Sequence, residues 1–212
     1  MSRTPAVHAI APTQVFETGE IVGRTCADDP LVRYLAPDST RRSRQTLAKV
    51  GVELVRYGMR HGEVYVTEPP VDGVAIWLPP EHALITRPRL ALTGLRALGA
   101  GLDPGSLIRL ARAVTYLEAL HRREAPPRHW YLLLLGVVPS RRRQGIGSAL
   151  LHSIVTRADA TDSPCYVATM RAQSVLFYRR HGFTVLSEDA VPGGGPQFWT
   201  LARAPGAGKP VG

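Results

Sequence analysis

The residues with the clearest chemical potential lie just after the most apolar run of the chain, Trp130 to Val138. That run passes into Pro139-Ser140-Arg141-Arg142-Arg143-Gln144-Gly145-Ile146-Gly147-Ser148, and Ile146, Leu150, Leu151, Ile154 and Val155 then recur at helical spacing. A buried strand feeding a basic turn that opens a helix is an arrangement for holding an anion. The first amides of a helix have no carbonyl partner within it, and the aligned peptide dipoles leave about half a positive charge at that end. Two glycines let a phosphate approach the backbone, and arginine offers several forked donors to its oxygens. The three-glycine spacing of a dinucleotide fold and the Gly-Lys-Ser/Thr of a nucleoside-triphosphate loop are both missing. On this turn alone, a glycine-rich connection that binds nothing stays open.

A second block is Ser174-Val175-Leu176-Phe177-Tyr178-Arg179-Arg180-His181-Gly182-Phe183. It reads as a helix capped at its start by Ser174 and closed by Gly182 at positive φ, with Phe183 folding back onto the core. The Tyr178 hydroxyl is either a satisfied core group or a proton donor.

Together the blocks resemble the GNAT superfamily of acyl-coenzyme A-dependent N-acyltransferases, whose Arg/Gln-x-x-Gly-x-Gly/Ala signature Arg142, Gly145 and Gly147 satisfy. The resemblance implies an α/β (α+β) fold, a central mixed, mostly antiparallel sheet of about six to seven strands flanked by helices. It implies acetyl-coenzyme A as co-substrate and no metal. Arg142, Arg143, Gln144, Gly145, Ile146, Gly147 and Ser148 would cradle its pyrophosphate, and Gly136, Val137 and Val138 would pair with its pantetheine arm. Tyr178 would protonate the departing thiolate. Ser174 stands where relatives commonly carry Asn, so an amide contact there is weaker or replaced. Further islands, among them Cys26-Ala27-Asp28-Asp29-Pro30, Gly73 to Glu81 and His121 to Pro126, are similar to puromycin N-acetyltransferase and related small-molecule acetyltransferases. They imply a small-molecule amine as acceptor, with a protein or peptide amine as the alternative.

Amide formation needs an amine stripped of its proton, a polarised thioester carbonyl and an acid for the thiolate. The backbone amide of Val137 or Val138 can serve the second need and Tyr178 the third. His129, Tyr131 and Glu81 are the candidates for the base. Trp77, Trp130 and Tyr131 are candidate acceptor walls, although core packing accounts equally well for both tryptophans. Asp28 and Asp29 either attract a cation or simply end a helix.

The elements that must position these groups follow from periodicity. Val7 to Ile10 reads as a strand, and Thr13 caps a helix reaching Cys26. Asp38 caps a second helix, with Leu47, Val50, Leu54, Val55 and Met59 on one side and an end near Gly62. Glu63 to Glu68 and Val74 to Leu78 form a hairpin through residues 70–73. A helical insertion over about residues 81–127 carries Leu90, Leu92 and Leu95, then Leu107, Leu110, Ala111, Val114, Leu117 and Leu120, with Gly99 to Gly105 between. Then follow a strand to Val138, a helix over 145–158, a strand over 165–170, a helix over 174–181 and strands over 183–187 and 197–202. One domain over residues 1–203 and a disordered tail over 204–212 are expected.

Composition bounds the remaining classes. The chain has 212 residues, 44% of them hydrophobic, which excludes disorder as the main state. No run approaches the roughly 20 apolar residues of a membrane span, and residues 1–13 lack the apolar core of a secretory signal, so a cytoplasmic protein without membrane association is expected. Cys26 and Cys165, without paired spacing, read as reduced thiols. The net charge of +9 fits nucleic acid, an anionic surface or a phosphate-rich ligand. Arginines interleaved with exposed aromatics are missing, so nucleic acid is not expected as a partner. A coenzyme-binding regulator without turnover stays open, as does the choice between monomer and homodimer.

Overall fold

The structure, a computed structural model, describes residues 6–35, 41–85 and 103–207, the side chains of 41–44 excepted. Period-2 alternation builds the hairpin: Glu63–Thr67 (β2) buries Val64 and Val66, while Gly73–Leu78 (β3) is buried along its whole length. With Val7–Ala9 (β1), Trp130–Val137 (β4), Cys165–Thr169 (β5), Thr184–Ala190 (β6) and Gln197–Arg203 (β7) they form a seven-stranded sheet ordered β1-β2-β3-β4-β5-β7-β6. Only β4 and β5 are parallel. This is the mixed, mostly antiparallel α/β sheet expected.

Helices cover both faces. Ile146–Ala160 (α5) and Ala172–Arg180 (α6) bury Ile146, Leu150, Leu151, Ile154, Val175 and Tyr178 against Trp77, Trp130, Leu132 and Val167. On the other face Val15–Cys26 (α1) and Arg41–His61 (α3) place Val15, Ile21, Val22 and Val55 on Val64, Val66, Val74 and Ile76. Two shorter contacts complete the cover. Pro30–Leu35 (α2) sets Leu31, and Pro104–Glu124 (α4) sets Ala113 and Leu120, beside Phe198 and Val191.

The middle of the sheet is where it opens. β5 pairs with β4 only over Trp130–Leu132 against Cys165–Val167, whereas β4 follows β3 as far as Val137. Ile76 faces Leu134 and Trp77 faces Leu132, so Leu133 bulges at the point where β5 departs. The second half of β4 therefore has a free edge.

Several elements differ from expectation. Thr13 lies in a 3-10 turn, Pro12–Gln14, and Gln14 rather than Thr13 occupies the cap of α1. Asp29-Pro30 ends α1 and also opens α2, because Asp29 Oδ1 accepts the Leu31 amide at 2.9 Å and a proline at the first helical position leaves no donor stranded. Ser174 is the third residue of α6, whose cap is Arg171, so its expected capping role is corrected. Asp159 binds Arg203 at 2.5 and 2.9 Å and the Gly206 amide at 2.7 Å, and Arg203 also donates to the Ala207 carbonyl. Asp38, Leu90, Leu92 and Leu95 lie outside the described residues. Cys26 and Cys165 are free thiols that burial pushes up, to about 11 and about 12.

Within α4 the buried stripe is Ser106, Leu110, Ala113, Leu120 and His121, and Leu107, expected inside, is 40% exposed. Anchors at both ends set that rotation. At the start, the Ser106 hydroxyl lies 2.6 Å from both the Leu35 carbonyl and Asp103 Oδ2, gives its single proton to one of them, and accepts from Arg109 at 2.6 Å. At the end, Glu124 Oε2 accepts from Ser187 and Thr200, each at 2.8 Å. Ser106→Ala leaves a buried acceptor unpaired, and the expected result is a loss of about 1–2 kcal/mol, read as a lower urea midpoint at unchanged slope.

Candidate active site

The turn after β4 is shaped for an anion. Pro139–Arg141 makes a 3-10 turn, Arg143 takes φ +61°, and Gly145 caps α5 at φ +82°, a left-handed conformation that favours glycine. Among the described residues no backbone carbonyl accepts from the amides of residues 143–148; the first helical bond is Ala149 to Gly145. The Cβ of a residue at 147 would stand 3.5 Å from the Phe177 ring, an ordinary contact. Internal packing therefore does not require glycine there. The side chains are less uniform than the arginine run suggests. Arg141 is committed to Asp72 at 2.9 Å, while the exposed Arg142 rests on the Val137 carbonyl at 3.2 Å. Ser148 is tied to His181, whose Nδ1 donates to Phe177 O, so in the neutral ring Nε2 accepts the Ser148 proton at 3.0 Å. Arg143 and Gln144 border a cleft of about 530 Å³ that runs to Thr67 and Glu68 on the hairpin.

Strand alternation decides which backbone groups reach the free edge of β4. The Val138 amide donates to Asp72 O at 2.9 Å, so Val138 and Gly136 point their backbone at β3, and Leu135 and Val137 point theirs at the gap. Of Gly136, Val137 and Val138, expected to pair with a pantetheine arm, only Val137 thus turns its backbone to the free edge, as Leu135 also does. Gly136 has a different reason to be glycine. A Cβ there would lie 2.6 Å from the Thr25 hydroxyl on α1.

Tyr178 is 5% exposed and its ring lies 5.3 Å from Phe177 and 5.5 Å from Phe183. Burial holds its hydroxyl well above the ordinary tyrosine range, so it stays protonated. Tyr178 packs beneath α5 and α6 in the core that includes Leu132 and Val167, the last paired residues of β4 and β5 before the two strands part.

The structure does not assemble the other expected groups around it. His129 is 4% exposed with both ring nitrogens committed: Nδ1 donates to Pro126 O at 2.6 Å, leaving Nε2 to accept from His121 Nε2 at 2.8 Å. It is a buried structural imidazole rather than a free base. Glu81 is exposed and paired with Arg128 at 3.3 Å beyond the end of β3. Trp77 is wholly buried in the core under α5, and Trp130 shares that core with the Arg157 guanidinium 4.8 Å over its ring, so neither is an acceptor wall. Asp28 and Asp29 are taken by Arg33 and Arg171 at 3.3 and 3.5 Å.

Tyr131 remains, and it belongs to a patch the sequence analysis missed. His121 on α4 stacks on Tyr166 of β5 at 4.4 Å and 11°, and lies 4.4 Å from Tyr131. Glu118 and Tyr57 are within electrostatic reach of Tyr131. Glu118 and His121, three apart in the insertion, were the available signal. Burial lowers both imidazoles, His121 to about 3, the neighbouring His129 adding to it. The unfolded chain takes up protons near the ordinary value of 6.5 while the folded pair refuses them. Stability is therefore full above about pH 6.5 and falls as pH drops toward 3. The wild-type urea midpoint is expected to fall between pH 7.5 and 5, and His121→Leu is expected to flatten that slope.

A mixed sheet parted between its two parallel middle strands, with a turn of free amides at the free edge, is the architecture of the GNAT acyltransferases. Residues 107–185 match the family model for the acetyltransferase (GNAT) domain. The chain is similar to an acetyltransferase from Corynebacterium glutamicum related to histone acetyltransferase HPA2, at 20% identity and TM-score 0.68 over 96% of this chain and 97% of that one. It is also similar to arylalkylamine N-acetyltransferase 2 from Aedes aegypti (12%, 0.62, 95% and 99%). A third similar structure is the Drosophila melanogaster polyamine N-acetyltransferase that forms N-acetylagmatine (17%, 0.57, 94% and 99%). The chain therefore carries a match to the GNAT acetyltransferase domain over residues 107–185 and shares the fold of these acetyltransferases along its length.

Proposed function

We propose that the protein transfers the acetyl group of acetyl-coenzyme A to the amine of a small molecule by direct attack in a ternary complex. The observation that carries the reading is the run of unpaired amides over residues 143–148 beside the free edge of β4. A pyrophosphate satisfies those amides at once, with Arg142 and Arg143 beside it. A pantetheine arm is an extended chain with two amide groups, suited to pairing with Leu135 and Val137. It would bring the thioester to the gap near Tyr178, which holds a proton for the thiolate. Ser148 orients the turn through His181, and Ser174, in the first turn of α6, is assigned to the coenzyme only by the family resemblance. The similar structures named for arylalkylamine and polyamine acetylation support a small amine as the acceptor. The reduced thiols fit a cytoplasmic reaction.

Calorimetric titration with acetyl-coenzyme A, followed by an amine panel with free-thiol detection, tests the reading. Saturable binding and amine-dependent thiol release are expected. No binding, or binding with no thiol release for any amine, overturns it.

A further inference from the structure

We propose that Glu118, on the inserted helix α4, takes the proton from the acceptor amine. The assignment rests on the transfer reading above and names the base that His129 and Glu81 fail to supply.

Glu118 lies one turn before His121, whose ring touches both Tyr131 and Tyr166 at 4.4 Å, so the two residues share the stripe of α4 that faces β4 and β5. Its side chain is 18% exposed, and Oε2 is buried with no hydrogen-bond donor among the described residues. The nearest cation is the largely exposed Arg122 on the same helix, at 3.9 Å, too far to donate. A buried carboxylate oxygen without a donor costs free energy, and beyond the charge of Arg122 no hydrogen bond among the described residues offsets it. An incoming ammonium would.

The groups that share its surroundings are Arg122 on α4, Tyr131 on β4 and Tyr166 on β5. Burial keeps both tyrosines neutral, so neither competes for the proton. Burial also lifts the Glu118 carboxyl above the usual carboxylate range, which makes its anion a stronger base. Tyr131 stands one residue before the point where β4 and β5 part, and His121 of the Glu118 stripe lies 4.4 Å from its ring. An amine over Tyr131 would have a proton acceptor behind it and the thioester in front.

The protons balance. The ammonium gives one proton to the Glu118 carboxylate, and its nitrogen lone pair attacks the thioester carbon. The new C–N bond forms, the C–S bond breaks, and sulfur leaves with the electron pair and takes the Tyr178 proton. The second proton lost from nitrogen replaces it, and Glu118 releases its own to water.

The test compares wild type and Glu118→Gln with two acceptors at pH 7.5: an alkylamine, protonated at that pH, and an aromatic amine or hydrazide, already neutral. The expected result is a loss of about 10²- to 10³-fold in kcat/KM for the alkylamine, with the neutral acceptor nearly unchanged and the acetyl-coenzyme A Kd unchanged. Equal losses for both acceptors, or an unaffected alkylamine, overturn the assignment. If wild type acetylates neither, the transfer reading itself falls, before any variant is compared, and Glu118 falls with it.

Discussion

Gly147→Glu is expected to abolish measurable acetyl-coenzyme A binding, a weakening of at least about 100-fold, while the protein melts at or slightly above the wild-type temperature. The two halves of this result have one cause. Residue 147 is the second residue of α5 and belongs to the amide run that no carbonyl satisfies. A carboxylate at that position lies against the positive end of the helix, where an anion stabilises it by roughly 0.3–1 kcal/mol. The fold has room, since the new Cβ would meet only the Phe177 ring at 3.5 Å. The same carboxylate occupies the space a pyrophosphate needs and repels its charge. Gly145→Glu is the less clean variant, because φ +82° at that residue adds backbone strain to the loss of binding. Calorimetry and a thermal melt on one preparation decide the matter. Binding retained within a few fold would remove the turn from the coenzyme site, and a large drop in melting temperature would make any lost binding a folding effect.

The turn was legible in the sequence because its function is written in local chemistry. Two glycines, an apolar strand before them and an amphipathic helix after them suffice to place free amides. The sheet was legible for the same kind of reason, as Val64 and Val66 alternate and β3 is uniformly apolar. The gap between β4 and β5 was not, because nothing local tells Leu133 to bulge or Ala168 to part from β4. Both are decided by partners remote in the chain. The acceptor side was misjudged on the same ground. Trp77, Trp130 and His129 have residue types that suit a pocket, but the Leu133 bulge and the packing of α5 decide which side of the sheet each faces. They send the tryptophans into the core, and Pro126 and His121 absorb His129. Conversely, nothing local in the sequence singles out Glu118, and only the docking of α4 through Ser106 and Glu124 buries it.

Tyr178→Phe separates the two roles open to this residue. If the ring served only as core, losing the oxygen would leave turnover unchanged. In the acid role, the thiolate must leave unprotonated in the variant, and kcat is expected to fall by about 10²-fold or more, within the range that positioned acids supply. Binding of acetyl-coenzyme A should stay within about twofold, since the phosphate turn and the edge of β4 are untouched. Stability should also hold, because among the described residues no hydrogen bond to the Tyr178 hydroxyl has to be broken and the aromatic contacts with Phe177 and Phe183 survive. Burial adds a second signature. Because the hydroxyl titrates far above neutrality, it keeps its proton through the whole assay range, and wild-type kcat should show no loss attributable to tyrosine ionisation up to pH 9. Steady-state kinetics with varied acetyl-coenzyme A distinguish the cases. A fall confined to kcat supports the acid, a rise confined to KM would move Tyr178 into coenzyme binding, and unchanged kinetics would return it to the core.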